Sequence, residues 1–265
     1  MSRRTPSSTT VAQIRQLGDR VSELVKTAAD SSTPVPQTPG WSLAQVLAHL
    51  VTVAVRYSPD VGDQDRWPAL VTDVAALNDA EIANLPVQDL PSVVAGLRAA
   101  VHALPSGEAV DAAGPVPYTG GLEVTPADLY GLMLGEFVVH GHDIATVLHK
   151  PWPIEPKEAC DIIRAVTTIL PAWVDPERAA GVTCTIAMRI RGDRKYLWQF
   201  TDGRLVVDPP EPRRVDVTIS ARPVAMLLLF YDRVPLWRGI VTGQLRAWGR
   251  RPRLAFSCNE FFRSP

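Results

Sequence analysis

Glu136 and His140 stand four residues apart in Leu129–His149, a stretch whose apolar residues recur every third or fourth position. Leu129, Leu132, Met133, Glu136, His140, Ile144 and Val147 therefore fall on one helical stripe, which places a carboxylate and an imidazole on the face expected to be buried. An ionised Glu on such a face costs several kcal/mol, about 3 or more, unless a positive group meets it. A metal ion or a buried cation would answer that need. Side chains at i and i+4 reach a common point, and His49, on the buried ridge of an earlier predicted helix, is available as a third ligand. Two imidazole nitrogens and one carboxylate match a catalytic zinc-type site that keeps positions open for water or substrate. Asp143, one turn beyond His140, is placed to accept the other ring N–H and fix the tautomer. A hydrogen-bonded Glu–His pair on an ordinary helix face uses the same spacing and stands beside the metal reading.

The elements that must position these residues follow from periodicity and caps. Val11, Ile14, Leu17, Val21, Leu24, Val25 and Ala28 predict a first amphipathic helix over 10–29. After a proline-rich loop, Ser42 with Gln45 three residues on reads as a capping box, and Trp41 is placed as a hydrophobic staple for a helix running to Arg56. That helix carries His49 between Val46 and Val53. Trp67-Pro68 opens a less regular third helix ending before Pro86, and Asp89 and Pro91 open a fourth that Pro105 stops. Residues 106–124 form a long irregular crossover of the kind that often lies over a site in a helical bundle. Thr125-Pro126 caps the central helix, Lys150-Pro151-Trp152-Pro153 ends it, and a helix over 156–170 is expected to complete an all-helical first domain spanning 1–178.

The period changes after Gly181. Val182, Cys184, Ile186, Met188 and Ile190 alternate with polar or smaller residues, as a strand with one buried face does. Tyr196, Trp198 and Phe200 repeat the pattern, Asp202-Gly203 is a hairpin turn to Leu205–Val207, and Val215, Val217 and Ile219 give a further strand. An apolar helix over 220–232, a strand over 243–248 and a short helix over 252–262 follow. Residues 179–265 thus read as a small α+β domain, with an antiparallel sheet and helices on one face.

Composition narrows the function classes. The chain has 265 residues, 46% of them hydrophobic and 21% charged, and a formal net charge of -1, with no long basic run to suggest a nucleic-acid partner. The arginines at 246, 250, 251 and 253 are the one basic cluster and read as a solvated turn. No segment offers about 18 uncharged apolar residues in a row, and the opening residues lack the apolar stretch of a signal peptide, so a cytoplasmic protein without membrane insertion is expected. The three cysteines, Cys160, Cys184 and Cys258, are too scattered for a disulfide framework or zinc knuckle, and thiol chemistry would fall to an external thiol. No serine or cysteine triad is visible, and no glycine-rich loop follows a strand into a helix. His142 and His149 fall on another face, and His102 reads as a surface residue. Oligomeric state is not legible.

Two segments, Trp41-Ser42-Leu43-Ala44-Gln45-Val46-Leu47-Ala48-His49-Leu50 and Glu136-Phe137-Val138-Val139-His140-Gly141-His142-Asp143, resemble the signature segments of the mycothiol-dependent maleylpyruvate isomerase N-terminal domain, a branch of the DinB-like metal-binding four-helix bundles. The resemblance covers about residues 8–175. It implies that His49, Glu136 and His140 are ligands of a divalent metal, zinc or a similar ion, and that mycothiol is the thiol cosubstrate. From Val182 to Phe262 the chain resembles the sterol-carrier-protein-2-like domain often fused to that bundle. There an arginine after the apolar helix is implied to reach the active site; Arg233 is the matching position, in an Asp-Arg pair where the family has Gly-Arg. The implied activity is isomerisation of, or S-transfer to, a small electrophile such as an unsaturated acid. The alternative from another class is a non-catalytic carrier of a lipid or other apolar ligand, suggested by Ala225–Tyr231 and Tyr196–Phe200, with the bundle as a structural partner.

Overall fold

The computed structural model describes residues 7–58, 66–86, 89–106 and 114–263, and the chain divides into two compact units, Thr5–Ile154 and Glu155–Pro265. In the first unit, α1 (Ser7–Val25), α2 (Leu43–Arg56), α3 (Val74–Ala83), α4 (Leu90–Ala103) and α5 (Pro126–Val147) follow one another, with a short antiparallel hairpin, β1 (Val116–Tyr118) and β2 (Leu122–Val124), before α5. The long helices close a ring in the order α1, α4, α2, α5, and the short α3 packs on α2. Caps fix where they start. Ser42 and Gln45 form the reciprocal capping box on α2, and the Thr125 hydroxyl accepts the Asp128 N–H at 3.2 Å at the head of α5, where Pro126 follows. A cap of this kind is worth about 1 kcal/mol.

The ring explains one departure from expectation. Its four long helices already bury each other's apolar stripes, so the helix expected to complete the bundle, α6 (Pro156–Ile169), is not part of it. It packs instead on α7 (Pro223–Phe230) in the second unit, and the break between units falls at 154/155 rather than 178/179. Smaller differences are local. The third helix is regular only over Val74–Ala83. The crossover, described from residue 114 onward, contains a hairpin whose turn glycines 120 and 121 take φ values of 74° and 70°.

In the second unit, β3 (Cys184–Ile190), β4 (Lys195–Thr201), β5 (Arg204–Val207), β6 (Val217–Ala221) and β7 (Leu245–Gly249) form one sheet in the order β5-β4-β3-β6-β7. Asp202 and Gly203, both at positive φ, make the expected two-residue turn between β4 and β5. The sheet is mixed, not antiparallel: β3 and β6 run parallel, with Ile186 opposite Val217 and Met188 opposite Ile219. The reason lies between β5 and β6. Nine residues, 208–216, three of them proline, can span about 30 Å when extended, enough to return along a strand and cross the three strand spacings from β5 to β6. Nothing in the local period of β6 carries that direction. Trp198 and Phe200 pack with Phe230, Phe261 and Phe262 at ring separations of 5.4 to 6.0 Å, so the apolar strand that suggested a carrier, with Met226 and Leu227 of the apolar helix, lies in the unit's own core. Two short helices, α8 (Leu236–Val241) and α9 (Leu254–Ser257), flank β7.

Among the described residues, no helix is long and apolar enough to cross a membrane.

Candidate metal centre

The ring of helices sets α2 against α5, and their facing stripes meet at His49, Glu136 and His140. Glu136 Oε2 lies 3.4 Å from His49 Nε2 and 3.3 Å from His140 Nε2, and one ligand atom from each of the three residues falls within 4.8 Å of the others. Both imidazoles are buried, while the Glu136 side chain keeps 23% of its exposure, so the trio is closed on the protein side and open at the carboxylate. Donors about 2.0–2.1 Å from a tetrahedral ion stand about 3.3 Å apart, which is the spacing seen between the carboxylate and each imidazole. The donor set therefore fits a zinc-type divalent ion with room for a further ligand.

The two imidazoles are held differently. His140 Nδ1 meets Asp143 Oδ2 at 3.2 Å, Asp143 is wholly buried, and His140 Nε2 lies toward Glu136. His49 Nδ1 is buried and has no hydrogen-bond partner among the described residues. Its ring instead lies against Trp41 at 4.9 Å, and Trp41 Nε1 donates to Asp79 on α3 at 2.7 Å. Trp41, expected only as a staple for α2, is thus a wall of the site. The two imidazole rings meet edge to face at 5.1 Å.

Electrostatics follow from this packing. Burial pushes Glu136 up, but hydrogen bonds from His140 and His49 outweigh it and hold its carboxyl well below the usual carboxylate range. Burial pushes His140 down, and the Asp143 and Glu136 carboxylates outweigh it, raising the imidazole to about 9. Burial dominates at His49 and lowers it, so His49 offers a neutral nitrogen.

Other groups fall outside the trio. His142 Nδ1 is 3.9 Å from Asp143, too far for a hydrogen bond, and His102 is an exposed partner of Asp19. His149 sits just beyond α5 at φ 53°. Arg233, in the second unit, follows Asp232 at φ 56°, and its guanidinium turns back to donate to the Tyr231 carbonyl. The three cysteines are free and buried.

Sequence reading missed a group that the crossover delivers. Tyr118 of β1 and Tyr57 at the end of α2 are both buried, with hydroxyl oxygens 3.3 Å apart. Trp67 touches both rings, at 4.5 and 4.9 Å. No local pattern signalled the pair, because 61 positions separate the two tyrosines.

Comparison with known proteins bears on this geometry. The chain resembles the crystal structure of the mycothiol-dependent maleylpyruvate isomerase at 14% identity, covering 92% of this chain and 93% of that one, with a TM-score of 0.53. A crystal structure of a histidine-to-alanine mutant of that isomerase matches over the same shares at 13% identity and the same TM-score. At this identity the likeness establishes the fold alone. No curated protein matches the sequence. The model of the family described as mycothiol maleylpyruvate isomerase N-terminal domain matches residues 12–145, half of the chain and the whole stretch from α1 to the ligand-bearing turns of α5. The chain belongs to the mycothiol maleylpyruvate isomerase N-terminal domain family.

Proposed function

We propose that this protein is a divalent-metal enzyme that uses a low-molecular-weight thiol, mycothiol, to isomerise a small unsaturated acid or to transfer sulfur to it. The observation that carries the reading is the convergence of His49, Glu136 and His140, with ligand atoms within 4.8 Å of one another, at the interface of α2 and α5. A zinc-type ion held there would supply a coordinated thiol in its anionic form near neutral pH. The protein's own part is orientation. Asp143 fixes His140, Trp41 backs His49, and the partly exposed Glu136 edge faces the approach to the site.

Isomerisation by this route is a reversible addition. One C–S bond forms while the alkene electrons move toward the conjugated carbonyl oxygen, the former double bond rotates, and loss of the sulfur returns the electrons and restores the alkene. S-transfer is the same addition followed by protonation and release. Arg233 is assigned the steering of the anionic substrate, on the resemblance of its position after α7, and Arg233→Ala should lower kcat/KM without loss of metal.

Elemental analysis tests the site. The purified protein should hold about one divalent ion, and His49→Ala and His140→Ala should each remove it. Metal content unchanged in both variants would sink the assignment. A mycothiol-dependence assay on a panel of conjugated acids then separates isomerase from transferase by whether the thiol is recovered.

A further inference from the structure

Arg56, Tyr57, Trp67 and Tyr118 form a second cluster on the helix that carries His49. Arg56 follows His49 by seven residues, within about 20° of the same direction and about 10 Å along the axis. Its guanidinium is almost wholly buried, donates from Nη2 to Asn78 at 2.6 Å, and faces Glu81 at 3.6 Å. Arg56 Nε, also buried, has no acceptor among the described residues. The guanidinium carbon lies 5.6 Å from the centre of the Trp67 ring, the same ring that touches Tyr57 and Tyr118.

Counting protons sharpens the point. The two tyrosine hydroxyls share one hydrogen bond at 3.3 Å, so whichever accepts still has its own O–H to donate. Among the described residues neither hydroxyl makes a second hydrogen bond, and both tyrosines are at least nine-tenths buried. A buried donor left unmatched is costly, and here two such donors, a tyrosine hydroxyl and Nε of the guanidinium that faces Glu81, stand around one aromatic ring. Neither hydroxyl ionises at working pH: burial raises Tyr118 to about 12 and Tyr57 well above its ordinary value, and the Arg56 charge, which acts the other way on both, does not offset it.

We infer that Arg56, Tyr57 and Tyr118 form an oxyanion subsite beside the metal centre, which takes the carboxylate of a small unsaturated acid. The inference rests on the proposed function for the identity of the acid, but the subsite itself can be tested without turnover. A carboxylate oxygen accepts the spare hydroxyl proton and the Arg56 N–H, and the carbon chain is left directed along α2 toward His49. Charged hydrogen bonds are about twice as strong as neutral ones, so a carboxylate should be preferred over its amide.

The test titrates zinc-loaded protein with crotonate and with crotonamide, following tryptophan fluorescence, since Trp67 lies against the subsite. Metal content is measured on the same samples. The wild type is expected to bind crotonate at least about tenfold more tightly than crotonamide, and the Tyr57→Phe/Tyr118→Phe double variant and Arg56→Lys should each lose most of that preference with metal content unchanged. The Phe pair keeps the ring packing, so it separates the hydroxyls from folding. Crotonate binding equal in the wild type and the Phe pair would overturn the subsite, as would equal binding of crotonate and crotonamide by the wild type. A wild type that holds no metal yet binds crotonate through these residues would leave the subsite standing and defeat the metal reading.

Discussion

The Asp143 carboxylate, with no solvent exposure, stands 3.2 Å from Nδ1 of His140, while the corresponding nitrogen of His49 has no hydrogen-bond partner among the described residues. One ligand of the candidate centre is thus fixed by a charged hydrogen bond and the other by an aromatic face. Removing the charge while keeping the shape, in Asp143→Asn, should weaken metal binding by about 10- to 100-fold, measured by competition with a chelator of known affinity. Unchanged affinity would show that Asp143 does not orient the ligand.

Trp41 should matter to His49 in the same measurement. Trp41→Leu removes both the ring contact at 4.9 Å and the donor to Asp79, and should weaken metal binding by about tenfold, whereas Trp41→Phe keeps a ring and should lose less. Equal losses in the two variants would assign the effect to the Asp79 tether.

Gly141, between His140 and His142, has no room for a side chain. A Cβ there would stand 2.1 Å from the Trp152 ring, which is anchored by a 3.0 Å hydrogen bond from Nε1 to the Val138 carbonyl. Gly141→Ala should destabilise the metal-free protein by about 1–3 kcal/mol through displacement of Trp152, read as a lower midpoint in urea with an unchanged slope.

Metal binding and protonation compete at His140. Its imidazole is raised from 6.5 to about 9 in the metal-free protein, by Asp143 and Glu136 acting against burial. The stability this contributes is fully present below pH 6.5 and is lost as pH rises through about 9. A metal must displace that proton. Apparent metal affinity should therefore climb between pH 6.5 and 9, approaching tenfold per unit, and calorimetry in buffers of different ionisation enthalpy should find about one proton released per metal at neutral pH. Affinity independent of pH across this window would place the metal elsewhere.

The protein's own thiols should stay silent. Burial first raises Cys160 to about 11 and Cys258 to about 12, and raises Cys184 as well. Native protein at pH 8 should react with a maleimide far more slowly than unfolded protein, and thiol-dependent turnover should require added thiol.

Local chemistry determined a good part of this molecule. The capping box Ser42–Gln45, the Thr125-Pro126 start, the Glu136–His140 spacing and the Asp202-Gly203 turn each depend on residues within a few positions of one another, so period and residue type carry them. The pairing of His49 with that helix was also legible, because an apolar ridge that holds a lone imidazole needs a partner of matching chemistry. Tertiary structure decided the rest. The parallel pairing of β3 with β6 depends on the path of residues 208–216, and the exclusion of α6 from the bundle depends on whether four other helices already cover one another. The meeting of Trp41 with His49 and of Tyr57 with Tyr118 joins residues whose own sequence neighbourhoods hold no trace of the contact. Burial is a sum over the whole fold, so no local pattern could specify which aromatic rings and which guanidinium would pack together.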